Sequence, residues 1–162
     1  MTSARTPAAA VSVGKRVKQF TAASTAGSDF SLSDASGNPL VLFFYPKDMT
    51  TGCTTESQGF RDLHSKFRRA GCLVLGVSRD SLASHAKFRV KEALPFDLLS
   101  DPDEKLCQLF DVIREKSLYG RKYLGIERST FLIDNHGVLR HEWRKVKVAG
   151  HAQEVLDTLR SL

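Results

Sequence analysis

One cysteine of this 162-residue chain stands where a thiol could react. Residues 43–56, FFYPKDMTTGCTTE, run from an aromatic segment through Pro46, two threonines and a glycine to Cys53. Proline has no N–H to give a neighbouring strand, so a strand over these aromatics ends at Pro46. If Thr50 caps the helix that follows, Cys53 falls in its first turn. Backbone N–H groups there have no helical partner, and the positive end of the helix dipole lies beside them, so an anion is favoured. A free thiol has a pKa of about 8.5 and is mostly protonated at neutrality, so such a placement suits a reactive thiolate. The plainer alternative is a small residue that fills space at a strand–helix junction.

Glu56 complicates that picture, because a carboxylate one turn away opposes a thiolate unless a cation holds it. Arg128, at the head of RSTFLI, is the candidate cation, since one guanidinium can hold a carboxylate and face a thiolate at once.

The elements that would position these groups are visible as apolar runs. Residues 40–45 (LVLFFY), 73–77 (LVLGV) and 130–133 (TFLI) are short and continuously apolar, as strands buried on both faces should be. The turn signal DNHG then predicts a hairpin over 129–144. Phe60, Leu63, Phe67 and Ala70 share one helical face, with Gly71 placed to end that helix. Asp80 can cap a second helix running to about Glu92. In SDPDEKLCQLF, Asp101 is the expected N-cap and Pro102 the first helical residue. Val155, Leu156, Leu159 and Leu162 give a C-terminal helix its apolar face. The expected architecture is α/β, a central mixed sheet flanked by helices. Residues 1–12 read as a loose tail before one domain over 13–162. The segment 117–126, SLYGRKYLGI, reads as a connection, with Tyr119 and Tyr123 open between packing and substrate contact.

Composition narrows the function classes. Lys and Arg total 24 against 18 Asp and Glu, a surplus of +6. Acids are interleaved in two of the three basic clusters, which disfavours a nucleic-acid-binding stripe. No apolar run approaches the roughly 20 residues of a membrane helix, and the N-terminus has no signal-peptide core. Cys53, Cys72 and Cys107 show no CxxC spacing and the five histidines no ligand-like spacing, which argues against both a disulfide framework and a metal site. A reducing cytoplasm is the expected compartment.

Pro46-Lys-Asp-Met-Thr50-Thr-Gly-Cys53 resembles the P-x-x-x-T-x-x-C signature of peroxiredoxins. FYPKD…TGCTTE together with GIERSTFLID (125–134) resembles the Q-type group, the bacterioferritin comigratory proteins, and the similarity extends from about Val13 to Leu162. The resemblance implies a thioredoxin-like fold and thiol-dependent reduction of hydrogen peroxide and organic hydroperoxides, with no metal or organic cofactor. It implies Cys53 as the peroxidatic nucleophile that becomes a sulfenic acid. Thr50 would hydrogen-bond the thiolate and peroxide, Pro46 would shield the pocket, and Arg128 would orient the peroxide. Glu56 would be the partner of the arginine.

The departures are as informative. Many Q-type members carry a resolving cysteine five residues after the first, where this chain has Gln58; others carry it on the next helix, where Arg89 is the expected equivalent. Cys72 lies at the far end of the helix that Cys53 begins, and Cys107 shares an apolar face with Leu106 and Phe110. The expectation is therefore a one-cysteine enzyme with no resolving cysteine, a monomer or weak dimer. An external thiol such as thioredoxin or glutathione with glutaredoxin would clear its sulfenic acid. A non-enzymatic redox sensor acting through Cys53 is the competing class.

Overall fold

The computed structural model describes residues 10–162. In chain order it holds β1 (Thr21–Ser24), β2 (Phe30–Ser31), β3 (Leu40–Phe44), α1 (Thr51–Arg69), β4 (Leu73–Ser78), α2 (Leu82–Glu92), β5 (Leu98–Ser100) and α3 (Lys105–Leu109). There follow β6 (Ile113–Leu118), β7 (Arg121–Ile126), β8 (Ser129–Ile133), β9 (Leu139–Trp143) and α4 (His151–Arg160). Seven strands make one sheet in the order β2-β1-β5-β4-β3-β8-β9. Its centre, β3, β4 and β5, is parallel, and the outer strands join antiparallel. This is the expected mixed sheet, and β8–β9 is the expected hairpin.

The two-residue period of β3 divides the core. Leu40, Leu42 and Phe44 face a cluster that contains Leu106, Cys107, Phe110 and Phe131. Val41, Phe43 and Tyr45 face the other side, packing with Cys53, Phe60 and Phe67 of α1, Phe88 of α2, and Val155, Leu156 and Leu159 of α4. Successive side chains on a strand point to opposite faces, so a continuous apolar run needs cover on both. Phe43 stacks on Phe60 with centroids 4.6 Å apart, which fixes α1 against the middle of β3. Cys53 thus starts a helix whose body is anchored to the strand that delivers it.

Gly76 of β4 is where this layer leaves no room. A Cβ there would stand 2.8 Å from Leu98 Cδ2 and 2.9 Å from Phe43 Cζ. Gly76→Ala is expected to destabilise the fold by about 1–3 kcal/mol through overpacking. The check is a lower urea midpoint at an unchanged slope.

Several boundaries differ from the sequence reading. Ser81, not Asp80, caps α2, its hydroxyl accepting from the Ser84 N–H. Helix α3 starts later than expected, with Glu104 at the N-cap. Asp101 still serves it from outside, accepting from the Leu106 and Cys107 N–H groups at 3.0 and 2.8 Å. Ala70 is the exposed C-cap of α1, and Leu162 lies beyond α4, half-exposed. Residues 117–126 are no simple connection. They fall in a separate hairpin, β6–β7, paired residue for residue from Ile113↔Ile126 to Leu118↔Arg121. Val11, assigned to the tail, donates to the Leu109 carbonyl and packs on the core, so contacts begin before Val13. The rest of the tail, residues 1–9, lies outside the described residues. No described helix is long and apolar enough to cross a membrane.

Candidate active site

Thr50 is the N-cap of α1 in extended geometry, and the helix starts at Thr51, so Cys53 is its third residue. No side chain caps this end, which leaves first-turn N–H groups available to an anion. The Cys53 side chain packs in the core cluster and the residue is 1% exposed.

Arg128 precedes β8, which pairs with β3, so the sheet carries it to the same end as the start of α1. Its Nη2 donates to Cys53 Sγ at 3.4 Å and its Nη1 to Glu56 Oε1 at 2.7 Å. The expected cation is therefore in place between the thiol and the carboxyl. Gly52 makes the approach possible, because a Cβ there would stand 3.1 Å from Arg128 Nη2. Burial is the larger influence on Glu56 and pushes its carboxyl up to about 7, against the downward pull of Arg128. Lys116 of β6 lies close enough to feel Cys53 and Arg128, and its ammonium donates to the Ile126 carbonyl. The β6–β7 hairpin therefore borders the site, although Tyr119 at its tip is fully exposed.

The other two expected residues sit differently. Pro46 follows β3 and is partly buried beside the site loop. Thr50 is exposed, and its hydroxyl donates to the Lys47 carbonyl at 2.9 Å and makes no hydrogen bond to Cys53.

A buried polar cluster that sequence reasoning missed holds the loop between Pro46 and Thr50. Asp48 accepts from the Tyr45 hydroxyl at 2.7 Å and from the Ser84 hydroxyl at 2.7 Å, and pairs with His85 Nδ1 at 2.8 Å. His85 Nε2 reaches the Leu99 carbonyl, and the Asp48 N–H donates to Asp80. Burial raises the Asp48 carboxyl, but these hydrogen bonds outweigh it and hold the carboxyl below its usual range. Asp48, Asp80 and His85 offer metal-ligand atoms within 4.8 Å of one another. Each side chain is already committed to hydrogen bonds within the protein, so the cluster reads as an anchor between the site loop and α2. The one local signal is that His85 and Phe88 stand three residues apart, which puts them on one face of α2.

The two residues expected at the usual resolving positions both fasten α2. Gln58 donates to Glu92 at 2.9 Å, and Arg89 pairs with Asp97 at 2.8 Å and caps the Leu94 carbonyl. All three cysteines are free. Cys107 lies in the cluster on the opposite face of the sheet from Cys53. Cys72 follows the far end of the 19-residue α1, beyond about 24 Å of helix from Cys53. Burial pushes the Cys72 thiol up to about 12, and burial followed by Asp101 pushes Cys107 up as well.

A thiol at a helix start, gripped by an arginine that a buried glutamate steadies, on a mixed sheet with helices on both faces, defines a thiol peroxidase site. Comparison with known proteins agrees. The AhpC/TSA family matches residues 13–142, and the chain belongs to that family. Within it the relatives are Bcp/Q-type peroxiredoxins, which are thiol peroxidases. Peroxiredoxin Bcp of Xanthomonas campestris is 53% identical over 83% of this chain and 84% of its own. Peroxiredoxin Bcp of Bacillus subtilis is 47% identical over 94% of this chain and 97% of its own. Among solved structures, Xylella fastidiosa PrxQ, in a mutant form, superposes with a TM-score of 0.89 at 42% identity, covering 93% of this chain and 96% of that one. The Xanthomonas campestris bacterioferritin comigratory protein, described for its alkyl peroxide reduction, gives a TM-score of 0.84 at 49% identity over 88% and 90% of the two chains. The expected thioredoxin-like peroxiredoxin fold is the one this chain adopts.

Proposed function

We propose that the protein reduces hydroperoxides through Cys53 as its one redox-active thiol and passes the resulting sulfenic acid to a thiol outside the chain. The observation that carries the reading is Arg128, which donates to Cys53 Sγ at 3.4 Å while anchored on Glu56 at 2.7 Å. Sγ attacks the terminal oxygen of the hydroperoxide, the O–O bond breaks, and Cys53 keeps one oxygen as S–OH. The other oxygen leaves with a proton as an alcohol, or as water from hydrogen peroxide. The guanidinium and the free N–H groups of the first turn of α1 meet the charge that develops on the parting oxygens. Thr50 Oγ1, which donates to the Lys47 carbonyl, keeps lone pairs that can accept a hydrogen bond from the peroxide O–H. Pro46 shields the thiol from water.

The external thiol then displaces water from the sulfenic sulfur, and a second thiol releases Cys53 from the mixed disulfide. Gln58 and Arg89 at the usual resolving positions, and the remote, buried Cys72 and Cys107, support this one-cysteine route. Thioredoxin, or glutathione with glutaredoxin, supplies the thiol. The reading places this chemistry in the domain over 13–162 of a cytoplasmic protein that is a monomer or weak dimer. The bacterioferritin comigratory relative supports organic hydroperoxides as substrates alongside hydrogen peroxide.

Intact mass after one equivalent of hydrogen peroxide, without reductant, tests the route. A gain of about 16 Da that a sulfenic-acid reagent traps at Cys53 is the expected result. A loss of about 2 Da would reveal an internal disulfide and end the one-cysteine reading. A doubled mass would assign resolution to a second copy of the chain. With excess peroxide and no thiol, a further gain of about 16 Da marks sulfinic acid, and added thiol should suppress it.

A further inference from the structure

Arg128 offers one positive charge to two acids. Its two terminal nitrogens divide between Glu56 and Cys53. These two stand three residues apart on α1, where helical side chains are neighbours. Both residues are at most 2% exposed, so water screens their mutual repulsion weakly. The surrounding ionisable groups leave this imbalance in place. Lys116 of β6 gives its ammonium to the Ile126 carbonyl, and burial and Arg128 disfavour its charged form more than Cys53 and Glu127 favour it. Burial holds His151 of α4 neutral, at about 4, with Nε2 against the Thr130 hydroxyl. Arg79, after β4, is paired with Glu104. Glu127, the chain neighbour of Arg128, is an acid and brings no second cation.

Glu56 itself carries the mark of a group that does not remain ionised. Its Oε2 is buried and has no hydrogen-bond donor within the protein. A carboxylate with a bare oxygen in a water-poor site is far costlier than a neutral carboxyl. A cavity of about 310 Å³ between α1 and the start of α4 is lined by Glu56 together with Gly59, Leu63, His151 and Ala152.

We propose that Cys53 and Glu56 share one proton against Arg128, so that Glu56 is neutral while Cys53 is a thiolate and ionised while Cys53 is uncharged. The inference deepens the peroxidase reading and rests on it. Formation of the nucleophile is then Cys53–SH plus Glu56–COO⁻ giving Cys53–S⁻ plus Glu56–COOH, with no change in site charge. Attack on the hydroperoxide makes the S–O bond, breaks the O–O bond and leaves an alkoxide, which takes a proton from water and departs as the alcohol, and the proton that Glu56 releases neutralises the hydroxide so formed. The sulfenic acid is uncharged, so Glu56 gives up its proton and holds the guanidinium again; one proton is taken and one returned. Glu56 acts through Arg128 and is a positioning residue.

Two titrations on the reduced, full-length protein test the coupling. Glu56→Gln keeps the shape of the side chain but cannot ionise. Its Cys53 alkylation profile with iodoacetamide should shift to lower pH by about one unit relative to the parent and lose one of two steps. Cys53→Ser removes the competing anion. The infrared carbonyl band of neutral Glu56 should then vanish at a pH lower by the same amount, because coupling between two sites is reciprocal. Superimposed alkylation profiles for parent and Glu56→Gln would overturn the proposal, as would a Glu56 band that ignores Cys53→Ser. If Glu56→Gln fails to fold, the infrared titration decides by itself. Both titrations run without peroxide, so failure of the coupling is distinct from failure of the peroxidase reading, which shows as absent peroxide consumption.

Discussion

Cys53→Ser is expected to remove peroxide reduction, lowering the initial rate by at least about a thousandfold, because a serine hydroxyl cannot replace a thiolate as nucleophile in this site. The neighbouring machinery does not compensate, since Arg128 and the first turn of α1 stabilise charge but supply no electrons. Cys72→Ser and Cys107→Ser should keep the parent rate. Their thiols are buried, pushed toward the neutral form, and either beyond the far end of α1 or across the sheet. Their cost should fall on stability instead, about 1–3 kcal/mol each for a buried hydroxyl in an apolar place. Peroxide consumption with saturating dithiothreitol, measured beside urea unfolding, separates the two effects. Substantial turnover in Cys53→Ser would move the nucleophile to another residue.

The parts of this site that the chain declares in sequence are those carried by short, regular signals. LVLFFY had to be a strand covered on both faces, and Pro46 had to end it, so Cys53 could be put at a helix start. Pairing Cys53 with Arg128 followed from chemical need, because Glu56 one turn away required a cation. Where several acceptors stand in a row, as in Arg79-Asp80-Ser81 or Asp101-Pro-Asp-Glu104, composition marks a helix start but geometry picks the cap. The β6–β7 hairpin escaped because its turn uses Tyr119 and Gly120, both at positive φ, where Asn-Gly would have been a plainer signal. Its strands also mix charges with apolar residues and show no core-facing alternation. The Asp48–His85 pair spans 37 positions and comes together only when α2 packs beside β5, so no local pattern could reveal it.

Arg128→Ala should slow Cys53 oxidation by about a hundred- to a thousandfold, the usual cost of removing one preorganised donor from developing charge. The thiol stays in place on α1, so single-turnover oxidation by peroxide shows the loss directly. Arg128→Lys should recover only part of it, because an ammonium cannot divide between Glu56 and Cys53 as the planar guanidinium does. The same substitution has a pH-dependent effect on stability that fixes the role of Glu56. In the parent the folded carboxyl titrates at about 7, above the 4.5 of an unperturbed glutamate. The folded state therefore holds more protons than the unfolded state between these values, and stability falls as pH rises through this window. The fall amounts to about 3 kcal/mol once Glu56 is ionised in both states. Arg128 opposes that loss, so without it the carboxyl must titrate higher still, and the decline in stability must continue above neutrality. Urea unfolding at mildly acid and mildly alkaline pH should show parent and Arg128→Ala close together in acid and clearly separated in alkali. An equal gap at both would mean that Arg128 supports the fold by packing and not by holding the Glu56 charge.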